Sequence, residues 1–174
     1  MPSETKNVQD PEAFVRMQLE TMVKCGKIPK DVVQGVSVPK IVRFLSTGIA
    51  QRMQAAMRKG MLHRETPFVL GVDASEIREN WPHGEMIMIQ GIIDVWFEED
   101  DGIVLLDYKT DALNDGEMTK LCKRYLMQMK YYKEALERLR KKPVREALLY
   151  SFSLDETADV MQFLSGADSP AVSR

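Results

Sequence analysis

The sequence predicts an α/β domain, and three observations support this fold class. Apolar residues recur at helical spacing over roughly the first third of the chain. Two strand-like runs then lie on either side of an acidic turn, which is typical of an antiparallel hairpin. A long amphipathic stretch and a further strand-like run follow. With 174 residues and 44% apolar content, the chain is long enough to form one domain with a substantial core.

The helical part has recognisable boundaries. Asp10 precedes a proline and an acidic residue, which is typical of a helix N-terminus, and the apolar positions that follow predict a helix ending near Gly26. A second helical region begins after Ser37. It continues, after a break at Gly48, to about Lys59.

The remaining elements alternate between strands and helices. They are predicted as a strand at 66–72, a loop at 73–84, strands at 86–97 and 103–109, a helix at 117–142 and a strand at 145–154. The turn between the two middle strands ends in Asp101-Gly102, a strong hairpin signal, and Pro143 ends the long helix. We therefore expect a single domain over 1–164 and a flexible tail over 165–174.

Composition excludes several classes of protein. The 24 Lys and Arg residues nearly balance 26 Asp and Glu residues, so the chain is not a general nucleic-acid coat. Two cysteines are too few for a disulfide framework, a four-cysteine zinc site or an iron-sulfur cluster, and they favour a reducing, cytoplasmic setting. We expect no membrane association, because no apolar run approaches about 18 residues. The sequence also lacks a GxxxxGK[ST] loop, so we expect no ATP site in this chain.

Charged residues interrupt the two middle strands. Alternation places Asp94 on one face of the first strand with Ile92 and Trp96, and it places Asp107 and Lys109 on one face of the second. A two-residue loop formed by Asp101 and Gly102 would set Lys109 opposite Asp94, with Asp107 on the diagonal. A loop of odd length would turn the two acids to opposite faces.

Two carboxylates and a lysine placed together, as predicted for Asp94, Asp107 and Lys109, suit phosphodiester hydrolysis. Two adjacent carboxylates repel unless a cation lies between them or Lys109 neutralises one of them. Aspartate oxygens with open positions beside them suit Mg²⁺ or Mn²⁺. A lysine next to that metal orients water and offsets charge on a phosphate. The alternative is structural: Asp94 and Lys109 form a cross-strand ion pair, and Asp107 caps its strand.

The long helix is strongly basic. Between residues 117 and 142 it carries nine basic residues against three acidic ones. This charge predicts contacts with DNA phosphates, for which Lys123 and Arg124 are the candidates. A solvated helix face explains the same charge nearly as well.

Four short segments resemble a known series of motifs. They are Arg64-Glu65-Thr66-Pro67-Phe68, Gly91-Ile92-Ile93-Asp94, Leu106-Asp107-Tyr108-Lys109-Thr110-Asp111, and the helical run from Tyr125 to Tyr132 with its YxxQxxxY pattern. In this order they resemble the RecB/AddA-type nuclease domain of the PD-(D/E)XK superfamily. The resemblance implies a restriction-endonuclease-like core, in which a central mixed sheet is flanked by helices.

The resemblance also implies roles for individual residues. It makes Asp94 and Asp107 metal ligands, Lys109 the catalytic lysine, and the carbonyl of Tyr108 a further ligand for Mg²⁺ or Mn²⁺. It places Tyr125, Gln128 and Tyr132 on a helix that packs beside the active site and helps to hold DNA. From the residues alone, Gln128 lies on an apolar stripe, where its amide needs partners or bonds locally. Core packing is an alternative main role for the two tyrosines.

One family feature is missing from the sequence. Members carry a histidine ligand on an upstream helix in a GxxxH context, and nothing before Arg43 provides it. His63 and His83 lie in other elements and are expected to be ordinary surface or partly buried histidines. We therefore expect either a fragment that begins after that helix or a degenerate member.

The function implied by the resemblance is a divalent-metal-dependent DNA exonuclease domain. Its parent would be a helicase-nuclease that processes double-strand DNA ends for recombinational repair. The implied partners are single-stranded DNA, the helicase domains of the parent polypeptide and a second helicase-nuclease subunit. The alternative is a catalytically degenerate module that binds DNA or a partner subunit.

Overall fold

The computed structural model describes residues 10–78, 80–164 and 172–173. The chain divides into two compact units, 1–51 and 52–174. A single domain over 1–164 remains a prediction. The predicted flexible tail lies outside the described residues, except for Val172–Ser173, which pair as a short strand.

The first unit is helical. Its elements are α1 (Pro11–Lys24), α2 (Lys30–Gln34), α3 (Val38–Leu45) and the start of α4 (Gly48–Arg58). Asp10 caps α1 as predicted, because its Oδ1 accepts hydrogen bonds from the backbone N–H groups of Glu12 and Ala13 at 2.9 and 3.1 Å. The five-residue helix α2 was not predicted, since it is too short to show a period.

The second unit contains all the strands. Its elements are β1 (Leu62–Asp73), α5 (Ala74–Ile77), β2 (Met86–Glu99), β3 (Gly102–Lys109), α6 (Met118–Arg140), β4 (Val144–Ser151), β5 (Glu156–Asp159), α7 (Met161–Leu164) and β6 (Val172–Ser173). Two corrections follow. The predicted loop at 73–84 contains the one-turn helix α5, and the predicted strand at 145–154 ends at Ser151. There the chain turns through Asp155, whose φ is +59°, into β5.

The strands form one mixed sheet in the order β1-β2-β3-β4-β5-β6. Only β3 and β4 are parallel, and α6 provides the crossover between them. Leu121, Met129 and Leu136 of α6 are fully buried in the main core. The predicted mixed sheet flanked by helices is therefore confirmed. Among the described residues, no helix has the length and apolar character needed to cross a bilayer.

The predicted register of the β2–β3 hairpin is wrong by two residues. Glu99 pairs with Gly102, so the loop consists of Asp100 and Asp101. Gly102 is the first residue of β3, and only glycine fits there because a Cβ would lie 2.6 Å from the carbonyl oxygen of Pro143. The loop still has an even number of residues. Extending the observed register aligns Asp94 with Asp107, which keeps both acids on one side.

Strict alternation along β2 fails near Asp94. Ile93 and Trp96 lie three positions apart, yet both belong to the main core, whereas Ile92 is 56% exposed. On β1, opposite this break, Glu65 has a φ of +48° and, like Asp94, forms no pair in the β1–β2 ladder. The predicted shared face of Ile92 and Trp96 is therefore wrong, because a local irregularity separates them.

Glu98 supports a prediction about stability. Its carboxylate is buried and accepts hydrogen bonds from Lys142 and Arg140, and together they lower its pKa below the ordinary 4.5. Glu98→Gln should lower the free energy of unfolding by about 1–3 kcal/mol at pH 7. Because the pKa of Glu98 is lower in the folded chain than in the unfolded chain, its charge stabilises the fold at every pH above the unfolded-state pKa. This contribution is lost as the pH falls through the lower, folded-state pKa.

Urea unfolding at pH 7 and in acid tests this prediction. The difference in the free energy of unfolding between Glu98→Gln and the wild type should begin to shrink below about pH 4.5, the ordinary glutamate pKa. Asp100→Asn, at the exposed hairpin tip, is the matched control and should match the wild type at both pH values. A gap that does not depend on pH would contradict the role of the Glu98 charge.

Candidate active site

The candidate site lies where β2 and β3 separate. Their ladder ends at the pair Val95–Leu106, and from there to Lys109 the strand β3 pairs with β4 on its other side. At this fork the backbone N–H of Tyr108 donates to Oδ2 of Asp94 at 3.2 Å. The Asp94 carboxylate thus accepts the bond that a neighbouring strand would otherwise accept.

Asp107 and Lys109 form a buried ionic contact. Asp107 is 1% exposed, Lys109 is 8% exposed, and Nζ of the lysine lies 2.5 Å from Oδ2 of the aspartate. This ammonium is the one cationic partner of Oδ2 among the described residues, and no further group there donates a hydrogen bond to that oxygen. Burial raises the pKa of Asp107, Lys109 opposes this shift, and nearby Asp94 adds to it.

Helix α6 supplies the other polar contact of Lys109. The lysine ammonium donates to Oε1 of Gln128 at 2.9 Å, and the Gln128 amide nitrogen donates to the Tyr132 hydroxyl at 2.7 Å. That hydroxyl donates to the carbonyl of Ile92 at 2.8 Å. Gln128 therefore bonds across to β3 and not only within its helix. The Tyr132 ring also packs edge-on against Phe68, and its role in the site remains a prediction.

The remaining predicted residues divide into two groups. The ring of Tyr125 lies 3.7 Å from the Lys109 ammonium, and neighbouring Arg124 contacts Asp111, a residue that sequence reasoning did not assign. The sequence feature that could have identified Asp111 is its position at the end of the motif Asp107-Tyr108-Lys109-Thr110-Asp111. Lys123 is exposed, and no contact among the described residues brings it to the site.

Tyr108 faces the other side of the sheet from its two neighbours. Its ring packs 5.8 Å from that of Phe152, and its hydroxyl lies 3.8 Å from the sulfur of Met53. Burial raises the pKa of this hydroxyl to about 12. Only the backbone of Tyr108 therefore adjoins the two acids, and a ligand role for its carbonyl remains a prediction.

A family model and individual relatives agree with this geometry. The model, described as the PD-(D/E)XK nuclease superfamily, matches residues 5–170. The chain belongs to this superfamily. It is 40% identical over 162 residues to an ATP-dependent helicase/nuclease subunit of Clostridium novyi (strain NT), a match covering 91% of this chain. The corresponding protein of Acetivibrio thermocellus is 37% identical over 142 residues, covering 79% of this chain.

These relatives confirm the resemblance to a RecB/AddA-type nuclease domain. The matched region spans only 12% of the Clostridium novyi protein and 11% of the Acetivibrio thermocellus protein. The similarity therefore concerns a nuclease domain and not the larger part of those helicase/nuclease proteins.

The residues of this nuclease domain fit a divalent cation in part. Asp94 and Asp107 provide the oxygen ligands that Mg²⁺ and Mn²⁺ prefer, and the two carboxylates lie close enough for the Asp94 charge to raise the pKa of Asp107. However, no group of three or more His, Cys, Asp or Glu residues in the described ranges is arranged to hold a metal. His63 stacks on Trp96 at 3.9 Å, and His83 is exposed in a loop.

Proposed function

We propose that the chain is a divalent-metal-dependent DNA nuclease domain that acts as an exonuclease. The observation that supports this proposal is the buried Asp107 carboxylate, whose Oδ2 lies 2.5 Å from the buried Lys109 ammonium beside Asp94. A buried ion pair adds little net stability to a fold. The presence of such a pair beside Asp94 therefore supports a chemical role.

Each residue of the site has a distinct task in this proposal. Asp94 and Asp107, with the carbonyl of Tyr108, would hold Mg²⁺ or Mn²⁺, which when bound supplies Lewis acidity toward the scissile phosphate. Lys109 donates hydrogen bonds from a buried position, where its charge offsets the charge that develops on the phosphate. Gln128 limits the motion of Lys109 because its amide oxygen accepts a hydrogen bond from the ammonium.

We further propose that α6 guides single-stranded DNA to this site. Lys123 is exposed on the helix and is free to contact backbone phosphates, which makes binding dependent on salt concentration. The names of the relatives support a parent polypeptide with helicase domains. In that setting the domain would work with a second helicase-nuclease subunit on double-strand ends during recombinational repair in the cytoplasm. ATP use would belong to the helicase domains.

One observation favours a second candidate function. The described residues bring two carboxylates together but no third His, Cys, Asp or Glu side chain that could hold a metal. A nuclease-fold module that has lost catalysis, yet still binds DNA or a partner subunit, would have this arrangement.

Titration with Mn²⁺ and a cleavage assay separate the two functions. Calorimetry should detect one Mn²⁺ site, and the chain should degrade linear single-stranded DNA with Mn²⁺ but not with EDTA. Asp94→Ala should weaken Mn²⁺ binding at least about tenfold, because it removes an oxygen ligand.

Asp100→Ala is the matched control, since it removes an exposed carboxylate from the tip of the same hairpin. It should bind Mn²⁺ as the wild type does. DNA binding without any Mn²⁺ site would reject the nuclease in favour of the degenerate module.

A further inference from the structure

Asp111 joins two side chains of α6 just beyond the catalytic segment. One of its oxygens, Oδ1, lies 2.5 Å from the guanidinium of Arg124. The hydroxyl of Tyr125 donates to the same carboxylate, at 3.0 Å from Oδ2 and 3.2 Å from Oδ1. Partial burial alone would raise the pKa of Asp111, but the hydrogen bonds from Tyr125 and Arg124 lower it. The carboxylate is therefore charged at neutral pH.

Tyr125 connects this carboxylate to Lys109. The centre of its ring lies 3.7 Å from Nζ of the lysine, within the range of a cation–π contact. The hydroxyl at the far end of the ring is the atom that Asp111 holds. The hydrogen bonds to Asp111 hold the hydroxyl end of the ring in place, and because a phenol O–H prefers the plane of its ring, they also favour one orientation of the ring face. Asp111 therefore influences a surface that the ammonium touches.

The ammonium is enclosed by three partners. Asp107 lies at 2.5 Å, Gln128 at 2.9 Å and the ring of Tyr125 at 3.7 Å. An ammonium has three N–H donors, and these contacts approach it from three residues on two elements. Without the ring, the strong attraction of Asp107 would be opposed by Gln128 alone.

We propose that Asp111 is a positioning residue which, together with Arg124, holds Tyr125 so that its ring fixes the direction of the Lys109 ammonium. Arg124 then acts mainly through Asp111 and not as a contact for DNA phosphate. The positioning is a property of the folded chain, whereas its effect on cleavage rests on the proposed nuclease function.

A spectroscopic experiment tests the positioning without any activity. In the full chain labelled with ¹³C-lysine, the Hε protons of Lys109, assigned by their absence in Lys109→Arg, should be shifted upfield by the ring current of Tyr125. Tyr125→Leu should abolish that shift. Asp111→Ala should remove at least half of it, since the ring loses its anchor.

Asp115→Ala is the matched control, because it removes an exposed carboxylate from the same loop, and it should leave the Lys109 signal unchanged. Asp111→Glu should restore much of the shift. A wild-type Lys109 signal in folded Asp111→Ala would overturn the proposal.

Kinetics then test the consequence for cleavage. Asp111→Asn should lower kcat for Mn²⁺-dependent cleavage about ten- to a hundredfold, with little change in KM for DNA or in Mn²⁺ affinity. Adding Tyr125→Phe to Asp111→Asn should lower kcat little further, because both changes disrupt the same hydrogen bond between Tyr125 and residue 111. A raised KM with an unchanged kcat would instead make this cluster a DNA contact and overturn the proposal. A wild-type chain that cleaves no DNA would reject the nuclease function, and the Lys109 signal would still decide the role of Asp111.

Discussion

Lys109→Ala is expected to abolish cleavage of linear single-stranded DNA while the chain still folds and binds Mn²⁺. Among the described residues, Lys109 is the one side chain that contacts Asp107, Gln128 and Tyr125 together, and its ammonium lies 2.5 Å from the Asp107 carboxylate. Removing a fixed positive charge from a site of this kind costs a factor of at least about a hundred in rate. A radiolabelled strand with an excess of enzyme measures the rate in a single turnover.

Two further variants complete this test. Lys109→Arg keeps the charge but should also be inactive, because a planar guanidinium does not fit a position that is 8% exposed and shaped for an ammonium. Lys120→Ala removes an exposed lysine from α6 and should cleave as the wild type does. Cleavage by Lys109→Ala at a rate close to wild type would refute the catalytic role of the lysine.

The double variant Asp107→Leu/Lys109→Met is expected to be more stable than the wild type by about 1–4 kcal/mol in the absence of metal. Asp107 and Lys109 are both buried, and among the described residues no group other than Lys109 compensates Oδ2 of the aspartate. Their mutual attraction therefore repays the loss of hydration incompletely. Apolar side chains of similar volume avoid this cost and pack against the neighbouring core. The same variant should have no nuclease activity.

The single variants are expected to lower the free energy of unfolding, whereas the double variant raises it. Asp107→Leu alone leaves the buried Lys109 charge without its counter-ion and should cost about 3–5 kcal/mol in the free energy of unfolding. Urea unfolding of the two singles and the double variant yields all three values. The surface pair Glu117 and Lys120 serves as a control, because replacing both should change stability far less than Asp107→Leu does. A double variant as unstable as Asp107→Leu would show that the ion pair supports the fold.

Local sequence determined the main elements and the residue types of the site. The helix predicted over 117–142 is α6 (Met118–Arg140), and the two predicted middle strands are β2 and β3. These elements are readable because helical spacing and strand patterns repeat over many residues. The even-numbered hairpin loop also followed from the acidic turn. It placed Asp94 and Asp107 on one side before any tertiary contact was known.

Tertiary contacts decided the details that position the chemistry. Gly102, which pairs with Glu99 next to the hairpin loop, lies against Pro143, which is distant in sequence. The irregularity at Asp94 depends on the backbone of Glu65 in a neighbouring strand. Neither contact leaves a periodic signal in the chain, so pattern alone aligned Asp94 with the wrong partner.

The partners of Lys109 were also decided only by the fold. Gln128 and Tyr125 reach it because the crossover helix α6 packs on the sheet beside the end of β3, and Asp111 reaches Tyr125 for the same reason. Motif spacing identified Lys109 itself, since strand alternation is local. The packing of α6 on β3 joins residues 16 and 19 positions beyond Lys109, and such long-range contacts are set by core packing, which no short window of sequence contains.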